Sequence, residues 1–375
     1  MLFSGLGGLA TEGWVLILSR FVTGVAAAFM APAGLSIITT TFAAGRARNQ
    51  AVLVYAGAGA GGFSLGMVTG GLLTSVDWRW VFFAPVVMAA VILVAAVAVI
   101  PREERLDRPA GGFDVAGTVT LTGAMVLLVV TVVRAPEVEV WLSLLTLAAS
   151  LVLLAVFVAV ERRSSSPLLR LGILRSAPLL RANAGAMLLV GAFMAFQFTV
   201  VLYLQELRGW SEIETGLALA VAGIDAVLAP TLTPLLVNRF GNARVLVVGL
   251  ALSVVAYLLL LPLGPEWDFF RLLPALLALG VAFALAYGPL TIAATEDVRA
   301  EEQGLASALL ATSFQFGAAL GLAAVTAVIV ANTAGGTPGA LLDGYRAGLV
   351  VPLAAGVLGV LLTAPGLRRR TVRAE

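Results

Sequence analysis

Polar residues in this chain come in short clusters, and long apolar stretches run between them. A helix needs ~20 residues to cross the ~30 Å hydrocarbon core of a bilayer. On that measure the stretches predict spans near residues 14–38, 50–73, 79–100, 113–134, 140–160, 182–204, 214–237, 244–263, 271–294, 303–330 and 346–366, eleven in all. Residues 1–10 are apolar as well, but ten residues rise only about 15 Å as a helix. They are expected to form the second half of a span. The fold class predicted is an all-α membrane bundle of about eleven full helices plus a partial first one.

The polar clusters carry an orientation signal. Alternate loops hold Arg46 and Arg48; Arg102, Arg105 and Arg108; Arg162, Arg163, Arg170, Arg175 and Arg181; Arg239 and Arg244; Arg299; and Arg368, Arg369, Arg370 and Arg373 in the tail, seventeen in total. The opposite loops hold Arg79, Arg134, Arg208, Arg271 and Arg346. Arginine concentrates on the cytoplasmic side of membrane proteins, so the chain is expected to cross a bacterial inner membrane many times with its C-terminus in the cytoplasm. The longest polar stretches, PREERLDRPAGG and ERRSSSPLLRLGILRSAPLLR, flank two helices and suggest an inserted hairpin. The expected division is a helical remnant over 1–100, the hairpin with its flanks over 101–181, and a six-helix bundle over 182–375.

Composition supports lipid as the solvent: 60% of the 375 residues are hydrophobic and only 12% are charged, against ~25% charged in soluble domains. The first residues, MLFSGLGGLATEGW, lack the basic leader of a cleavable signal peptide. Histidine and cysteine are both absent, which excludes disulfides, thiol nucleophiles, histidine triads and the usual zinc sites. No nucleophile–base pair or metal cluster emerges, so neither an enzyme nor a cofactor is expected. The expected partners are a small-molecule substrate, protons and membrane lipid; nucleic acid is not among them, and a monomer is expected.

Residues 56–71, AGAGAGGFSLGMVTGG, contain G-x-G-x-x-G at Gly57, Gly59 and Gly62, with Asp77 twenty residues after Gly57. A dinucleotide site would need a strand before the turn, a full helix after it and a second strand ending at the acid. Nine glycine-rich residues between Gly62 and Leu72 are too few for that helix. In a membrane, small residues four apart let helices approach closely, so Gly62, Gly66 and Gly70 are expected to form one packing face. The late span repeats the spacing at Gly317 and Gly321.

Charges inside predicted spans are costly, ~2.5–3.5 kcal/mol on insertion scales for an acid at mid-span. Asp225 is halfway along 214–237 and is the candidate proton carrier, followed by Pro230 and Pro234, which predict a bent, cavity-lining helix. Arg20 is the one basic residue well inside a span, either a relay charge or a clamp between helices. Glu206 lies near a span end and reads as interfacial, and Trp78, Trp80 and Trp210 as anchors. Gln197, Gln315, Tyr257 and Tyr287 are candidates to line a substrate cavity or to pack between helices.

Several of these stretches resemble the major facilitator drug exporters. Gly62, Gly66, Met67, Gly70 and Gly71, followed by Trp78-Arg79-Trp80-x-Phe82, resemble the antiporter motif of the family's fifth helix, with Met67 where proline is usual. LILSRFVTGVAAAFMAPA is similar to the fourth-helix motif, with Arg20 and Gly24 in register and Thr23 replacing glutamine. PLLVNRFGNARV is similar to the cytoplasmic loop motif in its second-half copy: Arg239, Gly241 and Arg244 match, while Pro234 and Asn238 replace glycine and aspartate. GGFDVAG and SSPLLRLGILR resemble the fourteen-span, EmrB/QacA-like drug:proton antiporter branch. The resemblance implies proton-coupled efflux of hydrophobic or cationic small molecules by alternating access. It gives Arg20 a relay role, Gly62, Gly66, Gly70 and Gly71 an antiporter helix, and Arg239, Gly241 and Arg244 a gating loop. It also implies a start inside the third helix, hence an N-terminally truncated chain. The alternatives are export of a self-made metabolite, or a truncated, transport-inactive membrane protein.

Overall fold

The computed structural model describes residues 1–43, 45–99, 114–135, 138–164, 167, 169, 172–173, 176–296, 298–299, 302–333 and 337–369. Arg102, Arg105, Arg108, Arg170, Arg175, Arg370 and Arg373 lie outside them, as do residues 111–113, the first three of GGFDVAG. The described residues form fourteen α-helices in chain order: α1 Leu2–Gly8, α2 Gly13–Thr41, α3 Arg46–Val76, α4 Trp80–Val99, α5 Val115–Arg134, α6 Val140–Arg163, α7 Ala177–Leu202, α8 Glu212–Ala220, α9 Asp225–Phe240, α10 Asn242–Leu260, α11 Phe269–Thr295, α12 Gln303–Asn332, α13 Pro338–Gly348 and α14 Val350–Thr363.

Among the described residues, ten helical segments are long and apolar enough to cross a membrane, and the 31-residue α3 occupies the remaining predicted span. The short α1 matches the partial helix expected over residues 1–10. Two spans are interrupted. A 3-10 turn, Val221–Ile224, separates α8 from α9, so the single span expected over 214–237 restarts at Asp225. Leu349 separates α13 from α14.

Local chemistry sets several boundaries. Ser211 and Glu214 form a reciprocal capping box at the start of α8. The Asp268 side chain accepts from the Arg271 N–H at the start of α11, and Thr337 accepts from Ala340 ahead of Pro338 at the start of α13. Gly241 ends α9 and begins α10 with φ +85°, a conformation that side chains resist.

The main core joins α7, α10, α11, α12 and α14. Helices α7 and α12 cross at glycines: a Cβ on Gly191 would stand 2.8 Å from the Gly317 carbonyl oxygen, and Cβ atoms on Gly317 and Gly321 would enter the backbone of Met187 and Gly191. The spacing singled out at Gly317 and Gly321 therefore marks a backbone-to-backbone crossing. Helices α10 and α11 approach in the same way at Gly249, where a Cβ would lie 2.8 Å from Leu285 backbone. Ser313 Oγ on α12 donates to Asn183 Oδ1 on α7 at 2.9 Å.

In the first half, α1 packs on α2 and α4, with Gly7 against Phe82 and Ser19. Helices α5 and α6 pair with one another, tied by Ser150 Oγ donating to the Ala124 carbonyl at 2.8 Å, and α5 touches α12. Two seams join the early helices to the core, α3 along α8, α9 and α11, and α2 along α12. The α2–α3 connection meets the end of α11, and the start of α12 meets α2 near Ser36, so these arginine-bearing loops share one end of the bundle. At the other end Tyr203 OH donates to the Gly264 carbonyl at 2.8 Å and Arg346 Nε to the Leu263 carbonyl at 2.8 Å.

Candidate functional site

A cavity of about 450 Å³ lies between α2, α3, α11 and α12. On one side α2 offers small residues, Gly24, Ala27 and Ala28, which leave the helix wall smooth. Tyr55 of α3, Tyr287 of α11 and Phe314 of α12 supply the aromatic side, and Ser307 and Gln315 of α12 add polar groups. Leu35, Thr291 and Ser307 stand within about two turns of the helix ends at the arginine-bearing loops. The cavity therefore reaches toward that end.

The aromatic side is a continuous stack. Phe283 and Tyr287 have ring centroids 5.2 Å apart with planes at 17°, and Tyr287 and Phe314 are 4.7 Å apart at 20°. Phe193 of α7 extends the row, 4.7 Å from Phe283. The spacing of Phe283 and Tyr287, four residues apart, places both on one face of α11. The stack thus links three helices of the second half to the cavity.

Helix α3 stands between the cavity and α9, and its glycines serve two sides. A Cβ on Gly59 would lie 4.0 Å from Tyr287 OH, so Gly59 shares the Tyr55 face. Gly57 and Gly61 face α9: their Cβ atoms would stand 2.7 Å from Pro230 Cδ and 3.0 Å from Ala226 Cβ. Residues four apart on α3 meet residues four apart on α9. This corrects the face expected from sequence. No described atom comes within 4 Å of a Cβ built on Gly62, Gly66 or Gly70, and Gly71 approaches only the Glu212 carbonyl, at 3.8 Å. The close contact is one register earlier, in the part of the run first weighed as a nucleotide turn.

Asp225 begins α9 immediately after the 3-10 turn, 4% exposed, and its Oδ1 has no hydrogen-bond partner. Ala222, Asp225, Ala229 and Thr233 share the buried face of this span, and Thr233 Oγ1 donates to the Ala284 carbonyl of α11 at 3.1 Å. Neither Asp225 nor any other residue of α9 lines the cavity. Pro230, expected to bend a cavity-lining helix, instead fills the space left by Gly57.

Arg20 is exposed on α2, one turn before Gly24, with its guanidinium carbon 4.2 Å from the centroid of the Phe82 ring on α4. It is not paired with any described carboxylate. Arg239 and Arg244 are exposed on either side of Gly241, the Arg239 guanidinium lying over Phe240 at 5.2 Å. Glu206 sits in a π turn, Tyr203–Leu207, and accepts from Tyr345 OH at 2.8 Å, at the opposite end from those arginines.

Of the four residues expected around a cavity, Tyr287 and Gln315 line it. Gln197 and Tyr257 do not. Tyr257 is fully buried in the second-half core, against Phe196 and Gly356, and Gln197 is buried on α7. Both were polar groups at mid-span, but burial between helices satisfies that pattern equally well. Tyr55, Ser307 and Phe314 were missed. Phe314 adjoins Gln315 and Tyr55 ends the AVLVY run, so both carried the same aromatic signal as Tyr287, whereas Ser307 carried none.

The major facilitator superfamily model matches residues 1–322 of the chain. The puromycin resistance protein pur8 of Streptomyces alboniger is 33% identical over 97% of this chain and 74% of its own length. The tetracenomycin C resistance and export protein of Streptomyces glaucescens is 32% identical over 88% of this chain, which spans 61% of that relative. Among solved structures, the human organic anion transporter MFSD10 superposes with a TM-score of 0.65 at 17% identity, covering 96% of this chain and 74% of that one, a likeness of fold. With its family match, its relatives and its many membrane-spanning helices, the chain is a multi-pass membrane protein that belongs to the major facilitator superfamily, a family of transporters rather than enzymes.

Proposed function

We propose that this protein exports hydrophobic small molecules across a bacterial cell membrane by proton-coupled alternating access, as a member of the drug:proton antiporter branch. The cavity carries the reading. It is bounded by α2 and α3 from the first half and by α11 and α12 from the second, so a rocking of the halves would open and close it. The names of the relatives, resistance and export proteins, favour an outward direction. The arginine bias favours a cytoplasmic C-terminus. The same reading keeps three parts: the first-half helices over 1–100, the hairpin with its flanks over 101–181, and the second-half bundle over 182–375.

Asp225 is the proposed proton carrier. A buried carboxyl with a donor-free oxygen suits a group that takes up and releases a proton during the cycle. Because it lies outside the cavity, substrate and proton would not compete for one group. Helix α3 would couple them: Ala226, next to Asp225, rests on Gly61, and the far side of α3 bears Tyr55 and Gly59 toward the cavity. A change of partner at Asp225 would shift α9 on α3 and so move the cavity wall. Arg20, over Phe82, would hold α2 to α4 as α2 moves, and the Arg239–Arg244 loop would gate the arginine-bearing end.

The test is transport in vesicles carrying an imposed proton gradient. Asp225→Asn is expected to abolish gradient-driven efflux while leaving substrate binding intact. Gradient-driven efflux at the unmodified rate would overturn the role given to Asp225.

A further inference from the structure

We infer that the cavity selects planar aromatic molecules that carry no positive charge, an inference that rests on the reading of this cavity as the substrate site. Its lining holds no aspartate, glutamate, lysine or arginine among the described residues. A cation entering it would shed water and meet no counter-charge, which is strongly unfavourable in a low-dielectric site. Aromatic faces can substitute for a carboxylate by cation–π attraction. Here the Tyr287 ring is already taken up between Phe283 and Phe314 in near-parallel stacks. Both faces of Tyr287 are thus covered, which leaves the outer face of Phe314 for a ligand ring.

The shape points the same way. Gly24, Ala27 and Ala28 form a smooth wall, and the stack ending at Phe314 supplies flat rings across from it. A planar ring system fits between such surfaces with its face on Phe314. The polar contact is also suited to a neutral ligand. Ser307 is 1% exposed, it lines the cavity, and its Oγ has no hydrogen-bond partner in the protein. A carbonyl or hydroxyl on the ligand would satisfy it, and the Gln315 amide offers a second donor and acceptor.

The experiment compares two probes on one ring system, anthraquinone and its trimethylammoniomethyl derivative, by equilibrium dialysis against the full chain in lipid nanodiscs. The neutral compound is expected to bind at least about tenfold more tightly. In Ser307→Asp and Gln315→Glu proteins, each adding a carboxylate, the preference is expected to shift toward the cation by about tenfold or more. Cation binding as tight as that of the neutral probe overturns the inference, and so does a lack of saturable binding by both. Gly24→Phe, placed where no described atom lies within 4 Å of the Cβ, separates this from failure of the underlying reading. It is expected to remove binding of the neutral probe while the protein stays monodisperse. Undiminished binding to Gly24→Phe would show that the cavity is not the site, whereas loss of both probes together from a protein that bound them equally would sink only the charge selection.

Discussion

Helices α2 and α7 have nearly equal mean hydropathy, yet 6% of the residues in the most apolar stretch of α2 are buried and 61% of those in α7. Helix α4 resembles α2, at 6%, and α11 resembles α7, at 50%. The difference is in the surroundings. Trp14, Ile17, Phe21, Phe29 and Met30 of α2 are exposed, and lipid-facing side chains must be as apolar as core ones. Helix α7 instead meets α11, α12 and α14. In a membrane, hydropathy therefore reports that a helix spans, and close backbone approach reports what it packs against.

Glycine substitutions offer the sharpest way to break this contrast. Gly317→Leu would drive a side chain into Met187 backbone at the α7–α12 crossing. Backbone cannot move aside as a side chain can, so the penalty should exceed the ~1–3 kcal/mol of ordinary overpacking. Loss of monodisperse protein after detergent extraction is expected. Gly66→Leu, in open space on α3, should leave the yield unchanged. Equal yields for the two variants would erase the distinction between the halves.

The seam between the halves should respond differently. Gly57→Ala places a methyl group 2.7 Å from Pro230 Cδ, a rigid ring that must be displaced. The expected result is folded protein with efflux reduced about tenfold, the equivalent of ~1.4 kcal/mol. Gly62→Ala serves as the matched control and should transport normally. If the control loses transport and Gly57→Ala keeps it, the seam runs along the motif glycines after all.

The span positions, the partial first helix and the crossing at Gly317 and Gly321 were legible in the sequence, because the length of apolar runs and the absence of a side chain act locally. The seam was not. Gly57, Gly59, Gly61 and Gly62 are nearly consecutive, and only the partner helix decides which of them is covered. The break before Asp225 was hidden as well, since AVAGID carries no proline and one glycine. Tyr287 and Gln315 could be proposed for the cavity by type, but Tyr257 has the same type and lies wholly in the core. Residue chemistry narrowed the candidates, and long-range packing chose among them.

The smallest effect concerns hydroxyl groups. Thr233 Oγ1 reaches across from α9 to the Ala284 carbonyl of α11, whereas Thr23 Oγ1 in α2 donates to Ser19 of its own helix at 2.7 Å. Interhelical hydrogen bonds in membranes average about 0.6 kcal/mol, and Thr→Val keeps the shape while deleting the donor. Thr233→Val should lower the thermal midpoint in detergent by a degree or two, on the order of that energy against a membrane protein's unfolding entropy. Thr23→Val removes a bond within one turn and leaves no partner on another helix unsatisfied, so its midpoint should match the parent. The two together test whether the second half is held by contacts between helices while α2 relies on contacts within its own. A larger drop for Thr23→Val than for Thr233→Val would mean that α2 is fixed in place by polar contacts beyond its own turns, and the contrast between the halves would have to be redrawn.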